Sequence, residues 1–164
     1  MWTIVAALSA YNRGIGLKGR LPWRIPMELR LFRQETWGGV LIVGRRTWES
    51  LARPLPGREL WVLSRQRLGP QAGVRFFPGE QALLQALEKE TRPVFFAGGE
   101  QLYRWALSLP QVQELRLSWV YTPAEADTFF PAFSEAEWQV YATEFFDACS
   151  PYPSFVRAFY KRIP

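Results

Sequence analysis

Histidine is absent from this 164-residue chain, and cysteine occurs once, at Cys149. A single cysteine excludes an intrachain disulfide, and without histidine there is no Cys/His cluster to hold zinc. The composition is that of a cytoplasmic protein, metal-free unless carboxylates alone bind an ion. No uncharged run reaches the roughly 18 residues that indicate a membrane span. The apolar N-terminal run from Met1 to Asn12 has no Lys or Arg ahead of it, and Arg13 comes too late to serve as a leader's charge, so export is not expected. Asparagine occurs once, at Asn12, and lysine three times against seventeen arginines. That balance fits a heat-stable protein or a nucleotide bias of the genome, and a melting temperature in the mesophile range would remove the first reading.

What the chain does contain is ordinary for a globular protein: 48% hydrophobic and 21% charged residues, with no repeat or low-complexity tail. The length fits one domain over residues 1–164, large enough to bury about two-thirds of its unfolded surface. A net charge of +5, eight Trp and twelve Phe keep a basic nucleic-acid-binding module open as an alternative. The basic residues are dispersed, however, with adjacent pairs only at Arg45-Arg46 and Lys161-Arg162. Dispersion favours a small anionic ligand over a long polyanion.

The stretch from Leu21 to Leu29 (LPWRIPMEL) organises the rest. Pro26 suits the first position of a helix, where its missing N–H is not needed. The spacing predicts a helix from there through Leu29, Leu31, Phe32 and Glu35, ending before Gly38-Gly39. Glu28 and Phe32 then project from one face. A carboxylate beside that ring and flanked by Trp23 has the surroundings of a proton-handling group with a raised pKa. The alternative is a first-turn acid that merely complements the helix dipole.

Along the chain, the near-continuous apolar run from Thr3 to Ala10 predicts a central strand buried on both faces of a parallel sheet. Gly14-Ile15-Gly16-Leu17-Lys18-Gly19 follows it and spells a dinucleotide fingerprint, but Pro22 and Pro26 forbid the helix that a fingerprint needs. A mobile glycine-rich loop is expected there instead. Further strands are expected at Val40–Val43, Leu60–Leu63, Val74–Phe77, Val94–Ala97 and around Leu115–Trp119. Helices are expected after Gly44, over Glu80–Glu90 and over Glu100–Leu107. The turn from Gly44 through Arg45, Arg46 and Thr47 joins two guanidinium groups and a hydroxyl to a helix start, which is a phosphate site or a solvated basic turn. Ser64-Arg65 puts another hydroxyl and cation at a strand's carboxyl end, and Gly98-Gly99 offers close backbone approach to a ligand or a tight turn. Trp138–Phe145 and Phe155–Lys161 read as an antiparallel pair. The expectation is an α/β fold: one mostly parallel sheet of about eight strands, a C-terminal antiparallel pair, and about four flanking helices.

These pieces together resemble dihydrofolate reductase over nearly the whole chain. The resemblance rests on Ala6-Ala7, Ile15-Gly16, Leu21-Pro22-Trp23, Glu28 with Phe32, the run from Gly44 to Ser50, the run from Arg53 to Arg58, Leu63-Ser64-Arg65, Gly98-Gly99 with Tyr103, and Asp127-Thr128 before Phe130-Pro131. It implies NADPH-dependent reduction of 7,8-dihydrofolate, with Glu28 binding the pterin and favouring its protonation, and Leu21, Trp23 and Ser118 beside it. Ser118 stands where the family usually has threonine. Val5, Phe32, Arg33, Leu51, Arg53, Leu55 and Arg58 would meet the substrate, Arg58 gripping its carboxylate. Ala7, Ile15, Gly16 and Leu21 would meet the nicotinamide side of the cofactor. Gly44, Arg45, Arg46, Thr47, Leu63, Ser64, Arg65 and the run Gly98, Gly99, Glu100, Gln101, Leu102 and Tyr103 would hold its phosphates and ribose, with Arg45, Ser64 and Arg65 on the 2′-phosphate. The loop from Asn12 to Trp23 would close over the nicotinamide, braced by the Asp127 loop. A related pyrimidine reductase of flavin synthesis would share the cofactor side without needing Glu28 and Arg58. The expected form is a monomer acting on a small molecule, with no nucleic acid or membrane partner.

Overall fold

The computed structural model describes residues 1–51, 55–66, 69, 71–123 and 125–164. Eight strands form one sheet: β1 (Trp2–Ser9), β3 (Val40–Gly44), β4 (Glu59–Leu63), β5 (Val74–Phe77), β6 (Val94–Phe96), β7 (Val112–Val120), β9 (Trp138–Phe146) and β10 (Phe155–Arg162), in the order β5-β4-β3-β6-β1-β7-β10-β9. From β5 to β7 every neighbour pairs in parallel, and β10 is antiparallel to both β7 and β9. The expected fold class holds, with β1 in the middle of the sheet as its apolar run requires.

Among the described residues four helices cover the sheet: α1 (Pro26–Thr36), α2 (Arg45–Ser50), α3 (Glu80–Glu88) and α4 (Glu100–Ser108). One cluster joins Leu83 and Leu87 of α3 and Leu102, Tyr103 and Ala106 of α4 to sheet residues such as Ile4, Leu8, Ile42 and Phe96. Another joins Val5, Leu41, Val43, Leu60, Val62 and Phe95 to Phe32 of α1 and Trp48 of α2. Successive strand residues point to opposite faces, so the doubly apolar strands feed both clusters and the helices sit on both sides.

The segment after β1 departs from the mobile loop expected of it. Gly14–Gly16 forms β2, which pairs with β8 (Thr128–Phe129) in a separate two-stranded ribbon. Leu17 and Arg20 then exchange both backbone hydrogen bonds, at 2.8 and 3.0 Å. Lys18 and Gly19 lie between them at φ 50° and 78°. Two consecutive positive φ values close a two-residue hairpin turn whose twist matches paired strands, and Gly19 adopts its value without a Cβ penalty. The ribbon is anchored where a brace was expected: the Lys18 N–H donates to Asp127 Oδ2 at 2.9 Å, and the Asp127 N–H to the Gly16 carbonyl at 2.9 Å.

Candidate functional site

At the start of α1 the extended Ile25 gives no side-chain cap, Pro26 opens the helix, and Glu28 is the acid of the first turn. The dipole at a helix start ordinarily lowers a carboxyl's pKa. Here the direction is reversed. Burial pushes the Glu28 carboxyl up, and the hydrogen bond from Ser118 and the guanidinium of Arg157 pull it back only in part. The residue as a whole is half-buried, yet desolvation is still the largest influence on its carboxyl. Ser118, buried in β7, donates to Glu28 Oε1 at 3.3 Å. Ala7 pairs with Ser118 in the β1–β7 register, so the middle of the sheet supplies the floor beneath the acid.

Phe32, Leu51 and Leu55 pack with Val5 in one apolar patch beside this acid. Arg58 closes the far end: its guanidinium donates to Thr36 Oγ1 at 3.3 Å and lies 6.0 Å from the centre of the Phe32 ring. Burial and the neighbouring Arg33 both lower the Arg58 pKa, and among the described residues no carboxylate pairs with it. Arg33 itself is exposed and lies over Trp37. Arg53, also expected on the substrate side, falls outside the described residues. Leu21 is 52% exposed at the edge of the site, and the buried Trp23 Nε1 has no hydrogen-bond partner among the described residues.

A second group of candidate residues lies at the carboxyl ends of β3, β4 and β6. Gly44 donates its N–H to the Gly98 carbonyl at 2.8 Å. The Gly98-Gly99 peptide bond is cis. A Cβ at either Gly98 or Gly99 would stand 3.4 Å from Thr47 Oγ1, so the backbone of this turn, Gly98 buried and Gly99 half-buried, lies close beside a hydroxyl. α4 starts at Glu100 immediately after this turn, leaving its first-turn N–H groups without intrahelical partners. Leu102 and Tyr103 are buried in the core, so Leu102 has only backbone to offer a ligand, while the Tyr103 hydroxyl donates to the Val5 carbonyl at 2.8 Å. The Glu100 carboxylate is already engaged, accepting from the Phe129 N–H at 2.7 Å and from Arg104 at 3.4 Å. Gln101 is exposed. Ile15 and Gly16 lie in β2, at the near side of the ribbon.

At the end of β4, Leu63 is half-buried and Ser64 buried, with Arg65 exposed beyond them. The Arg45 guanidinium donates to Gln66 Oε1 at 2.8 Å, and the Gln66 N–H donates to Ser64 Oγ at 3.2 Å. Gln66 was not singled out in the sequence, although its place directly after Ser64-Arg65 was a usable signal. The exposed Arg46 completes a rim of three guanidinium groups with Arg45 and Arg65.

Three comparisons bear on this arrangement. The family model described as dihydrofolate reductase matches residues 1–161. Dihydrofolate reductase type 3 of Salmonella typhimurium is 39% identical over 137 residues, covering 84% of this chain and 82% of that protein. The dihydrofolate reductase of Mycobacterium leprae is 45% identical over 98 residues, or 58% of this chain and 59% of that one. A solved dihydrofolate reductase from Enterococcus faecalis, complexed with NADP(H) and RAB-propyl, superposes with a TM-score of 0.91 at 26% identity, covering all of this chain and 97% of that one.

Proposed function

This chain belongs to the dihydrofolate reductase family, and we propose that it reduces 7,8-dihydrofolate to 5,6,7,8-tetrahydrofolate with NADPH, as a monomeric single domain of the cytoplasm supplying one-carbon metabolism. The observation that carries this reading is the Glu28 carboxyl, desolvated, held by one hydroxyl and adjoining an apolar patch. A flat heterocycle with an amidine-like edge fits a carboxylate of this kind, which offers two acceptor oxygens and one negative charge.

The residues present also fit a dinucleotide phosphate. Close-packed glycine backbone beside Thr47, free N–H groups at the start of α4 and a rim of Arg45, Arg46 and Arg65 are the donors that phosphate oxygens need. Ser64, Arg65, Arg45 and Gln66 would hold a 2′-phosphate, and Thr47, Arg46 and the α4 start a pyrophosphate. NADPH, when bound, supplies the hydride.

The chain's own groups do the rest. Glu28 steadies the positive charge of a pterin protonated beside the carbon that is reduced, so that no negative charge has to build on nitrogen. Ser118 fixes the carboxylate's direction. Phe32, Leu51 and Leu55 exclude water from the ring, and Arg58 grips the carboxylate of the substrate's tail by a two-pronged contact. The β2–β8 ribbon borders the nicotinamide side and keeps solvent from the reacting atoms.

Mixing the protein with NADPH and dihydrofolate and following NADPH absorbance tests the reading directly. Rapid oxidation that depends on dihydrofolate supports it, and inert NADPH overturns it. Arg65→Ala checks the cofactor side: NADPH should bind roughly ten- to a hundred-fold more weakly, the worth of one or two charge-assisted hydrogen bonds. NADH affinity should barely change, and equal losses for both cofactors would remove Arg65 from the 2′-phosphate.

A further inference from the structure

Behind Glu28 runs a set of ionised side chains that the catalytic reading leaves unused. Glu28 and Glu35 are seven residues apart on α1, two turns along one face. That face meets β7 and β10. Arg157 of β10 stands opposite Ser118 of β7 in the antiparallel register, and Ser118 is the residue that holds Glu28. The Arg157 guanidinium, its side chain only 12% exposed, is clamped to Glu35, whose side chain is 9% exposed. Glu35 also faces Arg116 at 3.4 Å, and Arg116 pairs with the buried Glu114 at 2.9 Å. The Tyr141 hydroxyl of β9 donates to Glu114, closing the set.

The charge count gives this arrangement meaning. Arg116 and Arg157 balance Glu35 and Glu114, so the set is neutral by itself. Glu28 is the extra anion, and among the described residues no ion pair reaches it. The ionisable and polar groups that face it are Glu35 from its own helix, Ser118 from β7, Arg157 from β10 and Tyr103 from α4. Beyond Arg157, Glu144 of β9 stands in register with it. In the partly desolvated seam between α1 and the sheet, a charge acts on its neighbours over more than contact distance, because little water screens it.

We propose that Arg157 is a positioning residue for the reaction: clamped to Glu35 and standing beside Ser118, it holds Glu28 ionised through space and so sets the pH at which turnover falls. This rests on the reading of Glu28 as the group that steadies the protonated pterin. Arg157 touches neither substrate nor cofactor. Its positive charge disfavours the proton that Glu28 and the pterin share, whereas Glu35 favours it. The pair therefore tunes one shared ionisation with opposite signs.

The test combines Arg157→Met, Glu35→Gln and the double variant with a carboxyl carbon NMR titration of Glu28 in the substrate-free protein and the pH profile of turnover. Arg157→Met should raise the Glu28 midpoint by about half a unit to one unit and move the alkaline fall of turnover upward with it. Glu35→Gln should move both downward. The double variant removes a buried pair without stranding a charge, so it remains available if a single variant does not fold, and its shift should be smaller than that of Arg157→Met. Arg157→Lys, which restores the charge, should return both midpoints towards those of the parent. A folded Arg157→Met or Glu35→Gln variant whose Glu28 titrates as in the parent would overturn the proposal, as would a double variant shifted further than Arg157→Met, or a shifted Glu28 midpoint with an unmoved turnover profile. Because the NMR titration needs no substrate, a failure to reduce dihydrofolate would be seen separately.

Discussion

Glu28→Gln should lower turnover at neutral pH by roughly 10²–10⁴-fold, the usual worth of a positioned proton-handling group. NADPH affinity should stay unchanged, since the glycine cradle and the arginine rim lie at the ends of β3, β4 and β6, away from α1. The loss should shrink in acid, where solution already protonates the substrate. Glutamine keeps the shape and can still accept from Ser118, so what is removed is the charge. The same variant should be more stable than the parent at neutral pH. Burial raises the Glu28 pKa in the folded protein, so the unfolded chain releases that proton first as pH rises. The unfolded state then binds fewer protons, and stability falls through the interval from the ordinary carboxyl pKa up to the raised one. Below that interval parent and variant should converge. Steady-state turnover across pH and denaturant midpoints at acid and neutral pH check both halves. Unchanged turnover at every pH would make Glu28 a helix-start residue and nothing more.

Phe130→Ala should cost about 3–5 kcal/mol of stability, the range for emptying a buried aromatic site. Phe130 is 1% exposed, and its ring lies 4.9 Å from that of Tyr103 and 6.0 Å from that of Phe133. Its backbone is tied on both sides: its N–H donates to the Arg13 carbonyl at 2.8 Å, and its carbonyl accepts from Arg13 Nε at 3.2 Å. Removing the ring opens a cavity beneath Tyr103, at the junction of α4 with the β2–β8 ribbon. Against a total stability of about 5–15 kcal/mol, the melting temperature should drop by roughly 6–20 °C. Phe130→Leu fills most of the space and should lose much less. Thermal unfolding measures both, and a loss under about 1 kcal/mol for alanine would mean that the core is not closed at this point.

Much of the architecture is legible in the chain because its signals are local. Pro26 marks the start of α1, doubly apolar runs mark β1, β3 and β6, and Gly98-Gly99 marks the turn into α4. The ribbon was not legible: Gly14–Gly16 and Thr128–Phe129 are each too short to announce a strand, and each becomes one only through the other. The same holds for Glu100. Its position at a helix start is visible in the sequence, but its hold on the Phe129 N–H is not.

The chain by itself determines which side chains are available: one acid among apolar and aromatic neighbours, three arginines and two hydroxyls at strand ends, and no histidine to take their place. Only the tertiary structure decides what that acid does. The Ser118 hydroxyl arrives from 90 residues away, and Arg157 reaches Glu35 across 122. Desolvation and charge–charge coupling depend on distance through space, which the order of residues along a chain does not specify.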